Sequence, residues 1–301
     1  AIKLKPDYAE AYNNLGIVEK ALERYEDAIV NYQQAINIKP DYSAAHNNLG
    51  ISLSIINKNA ASICSYKRAV LLRPNFSEAL NNLANLQKRI GDYDSAICSC
   101  NQALFINRNF AEAYNSMGII LNEKGNFPEA VECYKRAMSI NISYAEACYN
   151  LGNTFRDSGN PDSAISIYKS VIQFHPTFYQ AYNNLGNVLR DKDEIDDAIL
   201  CFQKSIWIKT NFIEAYASQA EALERWNKLN ELALLLQRAE SVFGTLPSNL
   251  LLHRAKLLFR RKNYPATRQT LLSINTEELS EVWKSSYLNL RARCSDKMGN
   301  F

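Results

Sequence analysis

Tyr12-Asn13-Asn14-Leu15-Gly16 is followed by His46-Asn47-Asn48-Leu49-Gly50 and then by Leu80-Asn81-Asn82-Leu83-Ala84. The frame continues as Tyr114-Asn115-Ser116-Met117-Gly118, Cys148-Tyr149-Asn150-Leu151-Gly152 and Tyr182-Asn183-Asn184-Leu185-Gly186, and fades at Tyr216-Ala217-Ser218-Gln219-Ala220. Each copy starts 34 residues after the one before, without an insertion. A fixed period of this length means one supersecondary unit used repeatedly, so the unit decides the fold.

Two helices fit inside each frame. A small polar residue stands ahead of the first as its expected N-cap: Asp7, Asp41, Asn75, Asn109, Ser143, Thr177 and Asn211. Glu10, Glu78, Glu112, Glu146 and Glu214 fall in the first turn, where the helix dipole favours a negative charge. Gly91-Asp92, Gly125-Asn126 and Gly159-Asn160 break the chain before the second helix. That helix carries Ala28, Ala96, Ala130, Ala164 and Ala198 where a partner must come close, and Tyr32, Tyr66, Tyr134, Tyr168 and Phe202 as its bulky face. Pro40, Pro74 and Pro176 follow it, since proline cannot continue a helix. The aromatics Tyr8, Tyr42, Phe76, Phe110, Tyr144, Phe178 and Phe212 read as wedges between successive units. Glycine inside a helix costs up to about 1 kcal/mol against alanine. Its recurrence at Gly16, Gly50, Gly118, Gly152 and Gly186 therefore indicates a neighbour that needs the space.

With its Ala-Tyr-Asn-Asn-Leu-Gly core and its Pro-Asp-Tyr or Asn-Phe turn, this frame resembles the tetratricopeptide repeat, strongly over residues 1–246 and weakly over 247–301. The expected fold is all-α: a right-handed α-solenoid superhelix of stacked helix-turn-helix repeats, because a single pair cannot bury its apolar face alone. Residues 1–8 are expected to be the tail of a preceding repeat's second helix and 9–246 to form seven repeats. Residues 247–301 are expected to form degenerate tetratricopeptide-like helices that stop in mid-repeat. Unfinished ends of this kind point to a larger parent protein or to end-to-end self-association.

More narrowly, Asn directly before the Leu-Gly pair resembles the repeat array of O-GlcNAc transferase. That resemblance implies a ladder of Asn14, Asn48, Asn82, Asn150 and Asn184 along the concave wall, gripping the backbone of an extended segment of a partner protein. Ser116 and Ser218 interrupt it. An Asn side chain offers both a donor and an acceptor, which matches a peptide unit. A second column holds Asn13, Asn47, Asn81, Asn115 and Asn183; one turn further along, Asn85, Asn153 and Asn187 are expected to face the groove. The alternative is local: the same amides can bond adjacent repeats together. Lys20, Lys88, Arg156 and Arg190 share one repeat position and could attract acidic ligand side chains or form a solvated face, with Glu123, Asp157 and Asp191 nearby to blunt the field.

Composition excludes several classes. Basic residues number 34 against 31 acidic ones, for a formal charge of +3 and no Lys/Arg cluster, so nucleic acid is not an expected partner. No apolar run reaches the roughly 18 residues a membrane span needs. The seven cysteines are odd in number and mostly flanked by apolar residues, which suits a reducing, cytoplasmic setting. Cys98 and Cys100 lie two apart and so point about 200° away from each other on a helix, a poor start for a metal site. His46, His175 and His253 are scattered with no triad spacing. No cofactor, metal or catalysis is expected. The leading expectation is a non-catalytic scaffold that binds an extended peptide. The alternatives are the targeting arm of a glycosyltransferase- or sulfotransferase-type enzyme and a scaffold that assembles through its ends.

Overall fold

The computed structural model describes residues 7–299; of the helix tail expected over 1–8, residues 1–6 lie outside the described residues, as do Asn300 and Phe301, while Asp7 is a turn residue and Tyr8 the N-cap of the first described helix rather than helix tail. Among the described residues every regular element is helical. The chain divides into two compact units, Ala1–Thr154 and Phe155–Phe301.

In the first unit the helices are α1 (Ala9–Ala21), α2 (Tyr25–Ile38), α3 (Ser43–Ile55), α4 (Asn59–Leu72), α5 (Ser77–Arg89), α6 (Tyr93–Ile106), α7 (Ala111–Glu123) and α8 (Phe127–Ile140), and α9 (Ala145–Asp157) contains the division point. The second unit continues with α10 (Pro161–Phe174), α11 (Tyr179–Asp191), α12 (Ile195–Ile208), α13 (Ile213–Arg225) and α14 (Leu229–Phe243). It then holds α15 (Ser248–Arg260), the nine-residue α16 (Tyr264–Leu272), a single 3-10 turn at Thr276–Glu278 and α17 (Glu281–Met298). First helices start at 9, 43, 77, 111, 145, 179 and 213, in the cadence of the sequence frame.

The caps differ from expectation. The N-cap position of the first helices is the aromatic itself: Tyr8, Tyr42, Phe76, Phe110, Phe178 and Phe212, none of which makes a side-chain capping bond. The expected caps Asp7, Asp41, Asn75, Asn109, Thr177 and Asn211 stand one residue too early. Ring burial decides the position: Phe76 packs with Ala69 and Ala79, and Phe110 packs against Leu80, Ala103 and Ala113. Some first-turn amides turn back to upstream carbonyls instead, as Ser43 N does to Asp41 O at 2.9 Å and Ala11 N to Tyr8 O at 3.0 Å. Some second helices do use polar caps, with Asp92 accepting from Ser95 N at 3.3 Å and Asn160 from Ser163 N at 3.2 Å.

The link between paired helices is a left-handed residue. Gly91, Gly125 and Gly159 occupy it at φ of 82°, 78° and 76°, and Glu23, Asn57, Asp193 and Asn227 hold the same position near 60°. At Gly91 the turn closes through Gly91 N to Lys88 O and Asp92 N to Gln87 O, both 2.9 Å, which satisfies carbonyls the helix leaves open.

Inside each pair a glycine meets a ring. A Cβ on Gly16, Gly118 or Gly186 would lie 2.6 Å from Tyr32, Tyr134 or Phe202, and one on Gly50 would lie 2.7 Å from Tyr66. These rings are buried, so they have no room to yield. Where the ring is replaced the glycine is too: Ala84 shares its cluster with Cys100, and Ala220 shares its cluster with Leu236.

Candidate partner-binding groove

In the first unit α3, α5 and α7 stand side by side, with their second helices behind them. Along them runs an open groove of about 880 Å³, reaching from Ile51 and Ser54 past Asn81, Asn82, Asn85 and Lys88 to Glu112, Asn115 and Ser116, and on to Tyr144 and Glu146.

The asparagines form a chain across the repeats. Asn48 Nδ2 donates to Asn13 Oδ1, Asn82 Nδ2 to Asn47 Oδ1 and Asn150 Nδ2 to Asn115 Oδ1, each at 3.0 Å. Asn48, Asn82 and Asn150 therefore each commit one amide hydrogen to the preceding repeat. Among the described residues no donor reaches the Oδ1 of Asn48, Asn82 or Asn150. Asn13, Asn47, Asn81, Asn115 and Asn183 are buried, whereas the first-column residues are half-buried, or exposed at Asn14.

Of the residues expected to bind, Asn82, Asn85 and Lys88 are brought together in the groove, with Asn85 exposed. Asn14, Lys20 and Asn48 lie outside its lining. Asn150, Asn153 and Arg156 sit on α9; Asn184, Asn187 and Arg190 sit on α11 in the second unit. Asn183 Nδ2 lies 3.5 Å from Asn184 Oδ1, and Asn187 Oδ1 is buried without a donor. Three of the basic residues are matched by carboxylates: Lys88 lies 3.6 Å from Glu123, Arg156 2.8 Å from Asp157, and Arg190 3.1 Å from Asp191 and 2.9 Å from Glu221.

Sequence reasoning missed two features. The groove's acidic side is one: Glu112 and Glu146 line it, and Glu146 Oε1 accepts from Asn115 Nδ2 at 3.4 Å. Burial, with the negative charges of Glu146 and Glu112, pushes the Tyr144 phenol up to about 12. The acidic first-turn position was visible, but only the packing shows that two such turns meet over one gap. The second is His253, fully buried in α15, whose Nδ1 lies 2.7 Å from Glu224 Oε2 on α13 while its ring meets Trp283 edge-on at 5.1 Å. Among the described residues no group of His, Cys, Asp and Glu is arranged to hold a metal ion, and no helix is long and apolar enough to cross a membrane.

Comparison with known proteins bears on the repeat. A profile described as the tetratricopeptide repeat protein 21 C-terminal ARM domain matches residues 66–185, and tetratricopeptide-repeat profiles match 18–54 and 179–212. No curated protein matches in sequence. Among solved structures, a chain of the APC/C hetero-tetramer Cut9-Hcn1 is similar with a TM-score of 0.63 and 18% identity over 74% of this chain, which spans 44% of that one. A tetratricopeptide repeat protein from Parabacteroides merdae gives 0.62 and 15% identity, covering 83% of this chain and 98% of that one. PilF of Pseudomonas aeruginosa gives 0.59 and 16%, covering 71% and 97%. At these identities the likeness concerns the fold. Helix pairs in a 34-residue cadence, the glycine-to-ring packing and the matching profiles together identify a chain built of tetratricopeptide repeats.

Proposed function

We propose that the chain is a non-catalytic protein–protein interaction scaffold that holds an extended segment of a partner protein against its first helices. The carrying observation is the groove along α3, α5 and α7, with the side chains of Asn82 and Asn85 in its lining. Asn82 gives one amide hydrogen to Asn47 and keeps its carbonyl oxygen and its second amide hydrogen for a ligand. Exposed Asn85 offers both donor and acceptor. The wall thus presents acceptors and donors together, which suits an extended chain whose backbone N–H and C=O groups are free. The interaction is cumulative, since each bond contributes about 0.5–1.5 kcal/mol net.

Selection of a displayed random-peptide library on the full chain tests this. Binders are expected to protect or crosslink to α3, α5 and α7. Asn85→Ala is expected to weaken them by about two- to tenfold without changing the melting temperature. Binders that all map to the second helices, or a library that yields none, would remove the groove as the binding surface.

A further inference from the structure

The asparagine chain between repeats is broken once inside the groove. Three second-column oxygens, those of Asn13, Asn47 and Asn115, are each taken by an amide one repeat further on. The oxygen of Asn81 should be taken by residue 116, which is serine and carries no amide to donate. Asn81 is only 8% exposed, and its Oδ1 has no hydrogen-bond partner. The same cause has the same effect in the second unit, where Ser218 replaces the asparagine and Asn183 Oδ1 is buried and unpaired. A buried acceptor without a donor is unfavourable, so a donor arriving from outside gains what the lost rung would have supplied.

The charges around Asn81 select the kind of donor. Glu112, Glu123 and Glu146 line the same groove. Of its two cations, Lys88 lies 3.6 Å from Glu123. Arg89 donates to Ser54 O at 2.7 Å, Ser54 Oγ at 2.9 Å and Asn59 Oδ1 at 3.0 Å. Glu112 and Glu146 are in no ion pair among the described residues. Burial, and after it the charges of Glu146 and Glu112, raise the Tyr144 phenol beside them.

Resting on the groove reading above, we infer that the gap at Ser116 is a specificity pocket for a lysine or arginine side chain of the bound segment. The cation donates to Asn81 Oδ1 and is neutralised by Glu112 and Glu146. A neutral side chain satisfies at most the oxygen, and an acidic one is repelled.

The test uses the full chain and fluorescein-labelled peptides of Ser, Thr and Asn that differ only in one central residue: Lys, Arg, norleucine or Glu. Anisotropy titration is expected to show Lys and Arg peptides binding about tenfold more tightly than norleucine, with Glu weakest, because bonds to charged groups are the strong ones. Ser116→Asn supplies the missing amide; it is expected to raise the melting temperature and abolish the Lys preference. The double variant Glu112→Gln, Glu146→Gln is expected to lose the preference too, and serves if Ser116→Asn folds poorly. Equal binding of Lys, norleucine and Glu peptides overturns the pocket and leaves the groove standing, as does a preference that survives both variants. Failure of every peptide to bind overturns the groove and the pocket with it.

Discussion

Glu224 and His253 illustrate what a single buried contact can decide. Burial raises the Glu224 pKa, but the hydrogen bond and charge of His253, with Lys256 at 3.4 Å and Arg260 at 3.7 Å, pull it the other way, and the net result lies below its ordinary 4.5. A carboxyl with a depressed folded pKa contributes stability above its unfolded pKa and loses it as pH falls through the folded value. Melting temperatures measured on either side of about pH 4 should therefore fall more in the wild type than in Glu224→Gln. At neutral pH that substitution should cost about 1 kcal/mol, because His253, Lys256 and Arg260 then face a neutral acceptor in place of a carboxylate. Neither this pair nor the Asn81 vacancy was legible in the sequence. His253 looks solitary because its partner lies on a different first helix, and the meaning of Ser116 depends on knowing which way the amides point. The asparagine columns were legible, because an amide recurring inside a helix demands a reason; that they would bond one repeat to the next stood then as one of two readings.

Helix pairing is where the sequence spoke most clearly. The recurring glycine announced a close approach, and the structure identifies the approaching group as the ring sixteen positions on, as Tyr32 does at Gly16 and Tyr134 at Gly118. The caps lie one residue off the small polar positions because an aromatic takes the capping place, as Phe76 and Phe110 do in packing between repeats. The glycine and the ring behave as one unit, since Ala84 goes with Cys100 and Ala220 with Leu236. Gly118→Ala should destabilise by about 1–3 kcal/mol, the cost of overpacking a closed core. Cys100→Tyr should cost a similar amount by itself. Combined with Ala84→Gly it should recover most of the loss, so a denaturant-monitored double-mutant cycle should give a large favourable coupling. Additive effects would mean that the pair is independent.

For the molecule as a whole, every substantial helix–helix contact within the two units joins elements one or two steps apart along the chain. Stability is then close to a sum of local terms, and damage should stay local. In Gly118→Ala, hydrogen exchange read by mass spectrometry should show lost protection in α7 and α8, and unchanged protection in α15 and α16. Uniform loss throughout would indicate one indivisible cooperative unit.

The amide chain has a consequence for length. Asn48 reaches Asn13 across 35 positions, and the same interval separates Asn82 from Asn47 and Asn150 from Asn115. One extra residue inside a helix turns everything beyond it by about 100°, so a slip of the reading register would sever a rung as well as misalign a packing face. The line of amides works as a vernier, and a chain of this kind can change in size only by whole periods.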